Sequence, residues 1–109
     1  MANMVKRILV CDDAQLTRTT LRNILESNGY EVVGEAVNGK DAVLKYGQLK
    51  PDFVFMDIVM PEMDGIEATK IILESLGEND KKPVMVALTA NSFKGAKEMF
   101  QSNGFDDYL

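Results

Sequence analysis

The chain has 109 residues, 46% of them hydrophobic and 27% charged, with a net charge of −5. That fits one soluble globular domain over residues 1–109, too short for a second core and without a basic stripe for nucleic acid. There is no histidine, which excludes Ser-His-Asp and Cys-His catalysis, histidine metal ligation and a phosphohistidine carried by this chain.

The start, MANMVKRILV, is too short in its apolar part for a signal peptide, and no run approaches the ~20 residues of a membrane helix. A single cysteine, Cys11, cannot close an internal disulfide, which suits a reducing cytoplasm. Residues 8–11, Ile-Leu-Val-Cys, form a short apolar strand that ends in Asp12-Asp13. From Gln15 to Asn28 the spacing of Leu16, Leu21, Ile24 and Leu25 predicts one helical face, with Gly29 as the stop. Residues 30–36, YEVVGEA, are more polar and belong at a sheet edge. Asn38 caps a helix through Ala42, Val43 and Leu44 to about Gly47, with Asp41 in its first turn.

Pro51 precedes the most apolar stretch, Phe53-Val54-Phe55-Met56, which reads as a strand buried on both faces and runs into Asp57. A loop with Met60-Pro61 follows, and Asp64 with Glu67 resembles a capping box opening a helix through Ile66, Ile71, Ile72, Leu73 and Leu76. After the charged loop GENDKK, residues 83–88 form another strand buried on both faces, ending at Thr89. Asn91 or Ser92 caps a weak helix containing Phe93, Ala96, Met99 and Phe100. Asn103-Gly104 ends it, and Asp107-Tyr108-Leu109 begins a last strand. Five strands alternating with four helices imply an α/β fold: a parallel sheet with helices on both faces and right-handed crossovers.

The three most hydrophobic strands thus end in Asp12-Asp13, Asp57 and Thr89. In a parallel sheet those ends share one edge, and where the strands are neighbours the side chains line one crevice at the switch point. A single acid there is as readily a helix cap as a ligand or nucleophile. Three acids on two adjacent strand ends repel one another unless a cation lies between them. Hard oxygen donors without His or Cys suit Mg²⁺, and a carboxylate beside such an ion can attack phosphorus. Cys11 and the methionines Met56, Met85 and Met99 are read as packing residues.

The motifs ILVCDD, MDIVMPEMDG, ALTA and GFDDYL, in this order and spacing, resemble those of response-regulator receiver domains. The likeness is to the single-domain chemotaxis regulators and to receivers of hybrid sensor kinases. It implies a doubly wound, flavodoxin-like parallel sheet in the order 2-1-3-4-5. It also implies that Asp57 accepts a phosphoryl group from a partner histidine kinase or phosphotransfer protein, in two-component signal transduction toward a downstream effector protein. Asp12, Asp13, Asp57 and the backbone carbonyl of Val59 would hold Mg²⁺. Thr89 would turn its hydroxyl onto the phosphoryl group, Ala90 would leave space beside it, and Tyr108 would be the aromatic switch. Val59 and Asn91 occupy positions that tune phosphoryl lifetime, and an apolar Val59 predicts slow self-dephosphorylation.

The family pattern continues past Leu109 with a lysine and a fifth helix, so the last helix is expected to be missing here and phosphorylation impaired. Three or four uncovered aliphatic side chains would cost ~5–10 kcal/mol, against a whole-domain stability of ~5–15 kcal/mol. The chain is therefore expected to hide that face against a second copy, by association or exchange of elements, or against a partner. Two further readings are a phosphorylation-independent interaction module and an Mg²⁺-dependent phosphatase of the haloacid-dehalogenase type. The latter wants a second acid where Ala14 stands.

Overall fold

The computed structural model describes residues 5–89 and 94–109. The elements run β1 (Arg7–Cys11), α1 (Gln15–Ser27), β2 (Glu31–Ala36), α2 (Gly39–Leu49), β3 (Phe53–Asp57), α3 (Gly65–Glu74), β4 (Val84–Leu88), α4 (Ala96–Ser102) and β5 (Asp107–Tyr108). All neighbouring strands pair in parallel, in the order β2-β1-β3-β4-β5, which is the flavodoxin-like order. The polar β2 is an edge strand, as its composition requires. No helix among the described residues is long and apolar enough to cross a membrane.

The two faces of the sheet are covered unequally. On one, Leu9, Cys11, Val54, Met56, Met85 and Ala87 pack with Ala42 and Tyr46 of α2, Ala68 and Ile72 of α3, and Ala96 and Phe100 of α4. On the other, Ile8, Val10 and Val32 meet Leu25 and Leu21 of α1, with Phe53 and Phe55 only partly buried beside them. The central strand is therefore not sealed on both faces, contrary to what its apolar run suggests: on this side α1 is the helix packed against the sheet, and it leaves Phe53 and Phe55 partly exposed. Its own apolar face is narrower than the sequence implies. Leu25 is buried, but Leu16 is 78% exposed and Ile24 is exposed too. At about 100° per residue, Leu16 lies about half a turn away from Leu25 and cannot share its face.

Helix ends follow local chemistry. Asn38 Oδ1 accepts the Asp41 N–H at 2.8 Å and Asp64 Oδ1 accepts the Glu67 N–H at 2.8 Å, as the capping patterns predict. α2 runs past Gly47 to Leu49, where Lys50 adopts a left-handed conformation and donates its N–H to the Tyr46 carbonyl. α3 stops at Glu74, leaving Leu76 beyond the helix but packed against the core. α4 begins only at Ala96, behind a left-handed Gly95. The capping roles read for Asn91 and Ser92, and the place of Phe93, lie outside the described residues.

Candidate functional site

β1 and β3 are adjacent, with Cys11 opposite Met56, and β3 pairs with β4 so that Asp57 faces Leu88. The residues that follow or end these strands, Asp12, Asp57 and Thr89, therefore meet at one sheet edge. β1 is also where the chain's winding reverses, since β2 lies on one side of it and β3 on the other.

Asp12 is buried, Asp57 partly buried and Asp13 exposed, and one carboxylate oxygen from each lies within 4.8 Å of the others. Asp12 Oδ1 accepts the Ala14 N–H at 2.8 Å, and its own N–H donates to the Ala36 carbonyl at 3.0 Å. Asp57 Oδ1 accepts the Val59 N–H at 3.1 Å. These bonds orient the two carboxylates without neutralising them. Burial pushes the Asp57 carboxyl up to about 6, reinforced by the charges of Asp12 and Asp13 and opposed by the Val59 N–H. Burial, together with Asp13, also raises Asp12 above the ordinary carboxylate range, while the Ala14 N–H and Arg18 pull it down. The cluster is short of positive charge.

Around it opens a cleft of about 370 Å³, lined by Asp12, Asp13, Ala14, Thr17, Asp57, Leu88 and Thr89. Thr17, on the first turn of α1, escaped the sequence reading. Its signal is its position, about one helical turn after the acidic pair, where a side chain leans back toward the strand end. A second cleft of about 390 Å³ lies elsewhere, between α3 and the turn after α4, and is lined by Lys70, Leu73, Glu74, Ser102, Asn103 and Gly104. It contains no comparable cluster of acids.

The loop after Asp57 is held close by glycines. A Cβ at Gly65 would lie 2.1 Å from the Asp57 carbonyl oxygen, and one at Gly39 would lie 2.1 Å from that of Met63. Val59 stands on this loop with 80% of its surface exposed. Tyr108 sits apart from the acids on β5, its ring packed 5.3 Å from that of Phe100. Ala90 and Asn91 lie outside the described residues. Cys11 is fully buried, and that burial pushes its thiol far above the usual range, as expected of a packing residue.

Fold and site together define a doubly wound α/β domain with a carboxylate cluster at its switch point. The model of the response regulator receiver domain matches residues 8–109, and the chain belongs to that family. Chemotaxis protein CheY of Thermotoga maritima is 56% identical over 71 residues, a match covering 65% of this chain and 59% of that protein. The chain thus spans less than two thirds of the length of this relative. Among solved structures, the response regulator domain of Thermotoga maritima CheB superposes with a TM-score of 0.84 at 35% identity, over 96% of this chain and 77% of that one. The receiver domain of a sensor histidine kinase from Pseudomonas aeruginosa, determined with magnesium coordinated in its active-site cleft, gives 0.80 at 32% identity, over 96% and 84% of the two chains.

Proposed function

We propose that this chain is a phosphoacceptor signalling domain of a cytoplasmic two-component system, with Asp57 as the acceptor. The observation that carries this is the juxtaposition of three carboxylates within 4.8 Å, one of them, at the end of β3, lifted to about 6. Three oxygen donors with uncompensated charge fit Mg²⁺ by donor type and by electrostatics. Asp12, Asp13, Asp57 and the Val59 carbonyl would hold the ion. When bound, Mg²⁺ supplies positive charge against the carboxylates and the phosphoryl oxygens.

A carboxylate oxygen of Asp57 attacks the phosphorus of a phosphohistidine on a partner kinase or phosphotransfer protein. The O–P bond forms, the N–P bond breaks, and the imidazole leaves with the electron pair and takes up a proton. Thr89, lining the same cleft, hydrogen-bonds the transferred group. Tyr108, beside Phe100, relays that contact to the face that an effector protein reads. Val59 carries no polar group to orient an attacking water, and with Asn91 it sets a slow loss of phosphate. Ala14 offers no second carboxylate in the cleft, which argues against turnover as a phosphatase.

The test is intact mass after incubation with acetyl phosphate and Mg²⁺. One added phosphoryl group in wild type, absent in Asp57→Ala, is the expected result. Steady release of inorganic phosphate, or no change in mass at all, would refute it.

A further inference from the structure

Asp12 and Asp13 sit on a loop, yet both must point into one cleft, so something has to fix the peptide between them. The Asp12 N–H is tied to β2 through Ala36. Its carbonyl, which belongs to the Asp12–Asp13 peptide plane, accepts from Arg18 Nη1 at 2.8 Å. The side chain of Arg18 is only 12% exposed. Its Nε donates to Glu35 Oε1 at 2.9 Å, while Arg22 Nε donates to Glu35 Oε2 at 2.8 Å. Each oxygen of Glu35 on β2 is thus taken by one arginine of α1. Arg22 reaches onward to Glu26 and the Val32 carbonyl, away from the acids. Of the two arginines, Arg18 is the one that bonds the Asp12 backbone; the hydrogen bonds of Arg22 among the described residues go to Glu35, Glu26 and Val32.

We propose that Arg18, locked by Glu35, is a positioning residue that sets the affinity of the Asp12–Asp13–Asp57 cluster for Mg²⁺ without touching the ion. The inference rests on the Mg²⁺ reading given above. Its sign separates it from simple electrostatics. A fixed cation near an acidic cluster opposes a second cation, so charge alone makes loss of Arg18 tighten Mg²⁺ binding. Loss of positioning weakens it, as loss of groups that orient metal ligands does. Lysine keeps the charge but cannot fork between Glu35 and the Asp12 carbonyl, so it does not restore the geometry.

Calorimetric titration of the full chain with Mg²⁺ alone, alongside thermal melts, decides the matter. Arg18→Ala and Arg18→Lys are each expected to bind about tenfold more weakly. Arg22→Ala, which loosens the clamp without touching the Asp12 backbone, stays within about twofold of wild type. A merely structural role of the clamp would weaken Arg18→Ala and Arg22→Ala alike, in step with their melting temperatures. That result overturns the inference, as does an Arg18→Ala chain that binds as well as wild type or better; in either case the Mg²⁺ reading stands. If Arg18→Ala does not fold, Arg18→Lys carries the same expectation. Wild-type protein that takes up no Mg²⁺ overturns the metal reading and this inference with it.

Discussion

Replacing Asp57 by Asn should stabilise the metal-free protein. In wild type, ionising Asp57 places a charge beside Asp12 and Asp13 in a partly buried cleft. A carboxyl moved from 3.8 to about 6 corresponds to about 3 kcal/mol at 1.36 kcal/mol per pH unit. Asp57 is only partly buried, and solvent screening should reduce this to about 1–1.5 kcal/mol. Asn keeps the acceptor for the Val59 N–H, so that hydrogen bond survives. Because the folded value is raised, the wild type loses stability as pH climbs from about 4 through 6, and the penalty is constant above 7. The variant lacks this term. In EDTA, melts followed by circular dichroism should show the variant about 4–10 °C more stable at pH 7.5. The gap should close at pH 4. An equal or lower melting temperature at pH 7.5, or a gap unchanged between pH 4 and 7, would refute the charge-crowding argument.

Three further expectations follow from the geometry. Gly65→Ala puts a Cβ 2.1 Å from the Asp57 carbonyl oxygen, which forces the loop off the end of β3; a loss of about 2–3 kcal/mol in urea unfolding is expected, and a neutral result would show that the loop yields. Hydrogen bonds from Arg22 and Arg18 outweigh the burial of Glu35 and hold its carboxyl below the ordinary range. Its contribution is therefore present above about pH 4.3 and lost as pH falls through its lower folded value, so Glu35→Gln should cost about 1 kcal/mol at pH 7 and little near pH 2; an equal cost at both would contradict the ion-pair account. Asn38→Ala removes the acceptor for the Asp41 N–H and should cost about 1 kcal/mol, read as a lower urea midpoint with an unchanged slope.

Much of this molecule can be read from adjacency along the chain. Apolar runs ending in acids give the strands and their shared edge, and Asn38 and Asp64 announce their helices because a cap is a contact of three residues. The convergence of Asp12, Asp13 and Asp57 follows once parallel pairing is assumed. What the residues conceal is set by partners distant in sequence. Phe53 and Phe55 look like sealed core, but how well a strand is covered depends on which helices reach it. Leu16 differs, since its spacing from Leu25 along the helix already puts it about half a turn off the buried face. Glu35 sits in a strand 17 positions from Arg18 and 13 from Arg22, with no periodic pattern linking them. Lys50 gives no hint that it adopts a left-handed conformation, although Pro51 after it marks where α2 must end.

The aromatic corner of the fold bears on how it opens. Phe100 lies with its ring 5.9 Å from Phe105 and 5.3 Å from Tyr108, so α4 and β5 share one small nucleus. β5 has two residues at the edge of the sheet and, among the described residues, pairs with β4 alone. Such a unit detaches without dismantling the interior strands, so amide protons of residues 96–108 should exchange with solvent together and sooner than those of β1 and β3. Covalent chemistry at the acidic edge would then be felt as a change in the lifetime of this corner, a quantity that exchange rates measure directly.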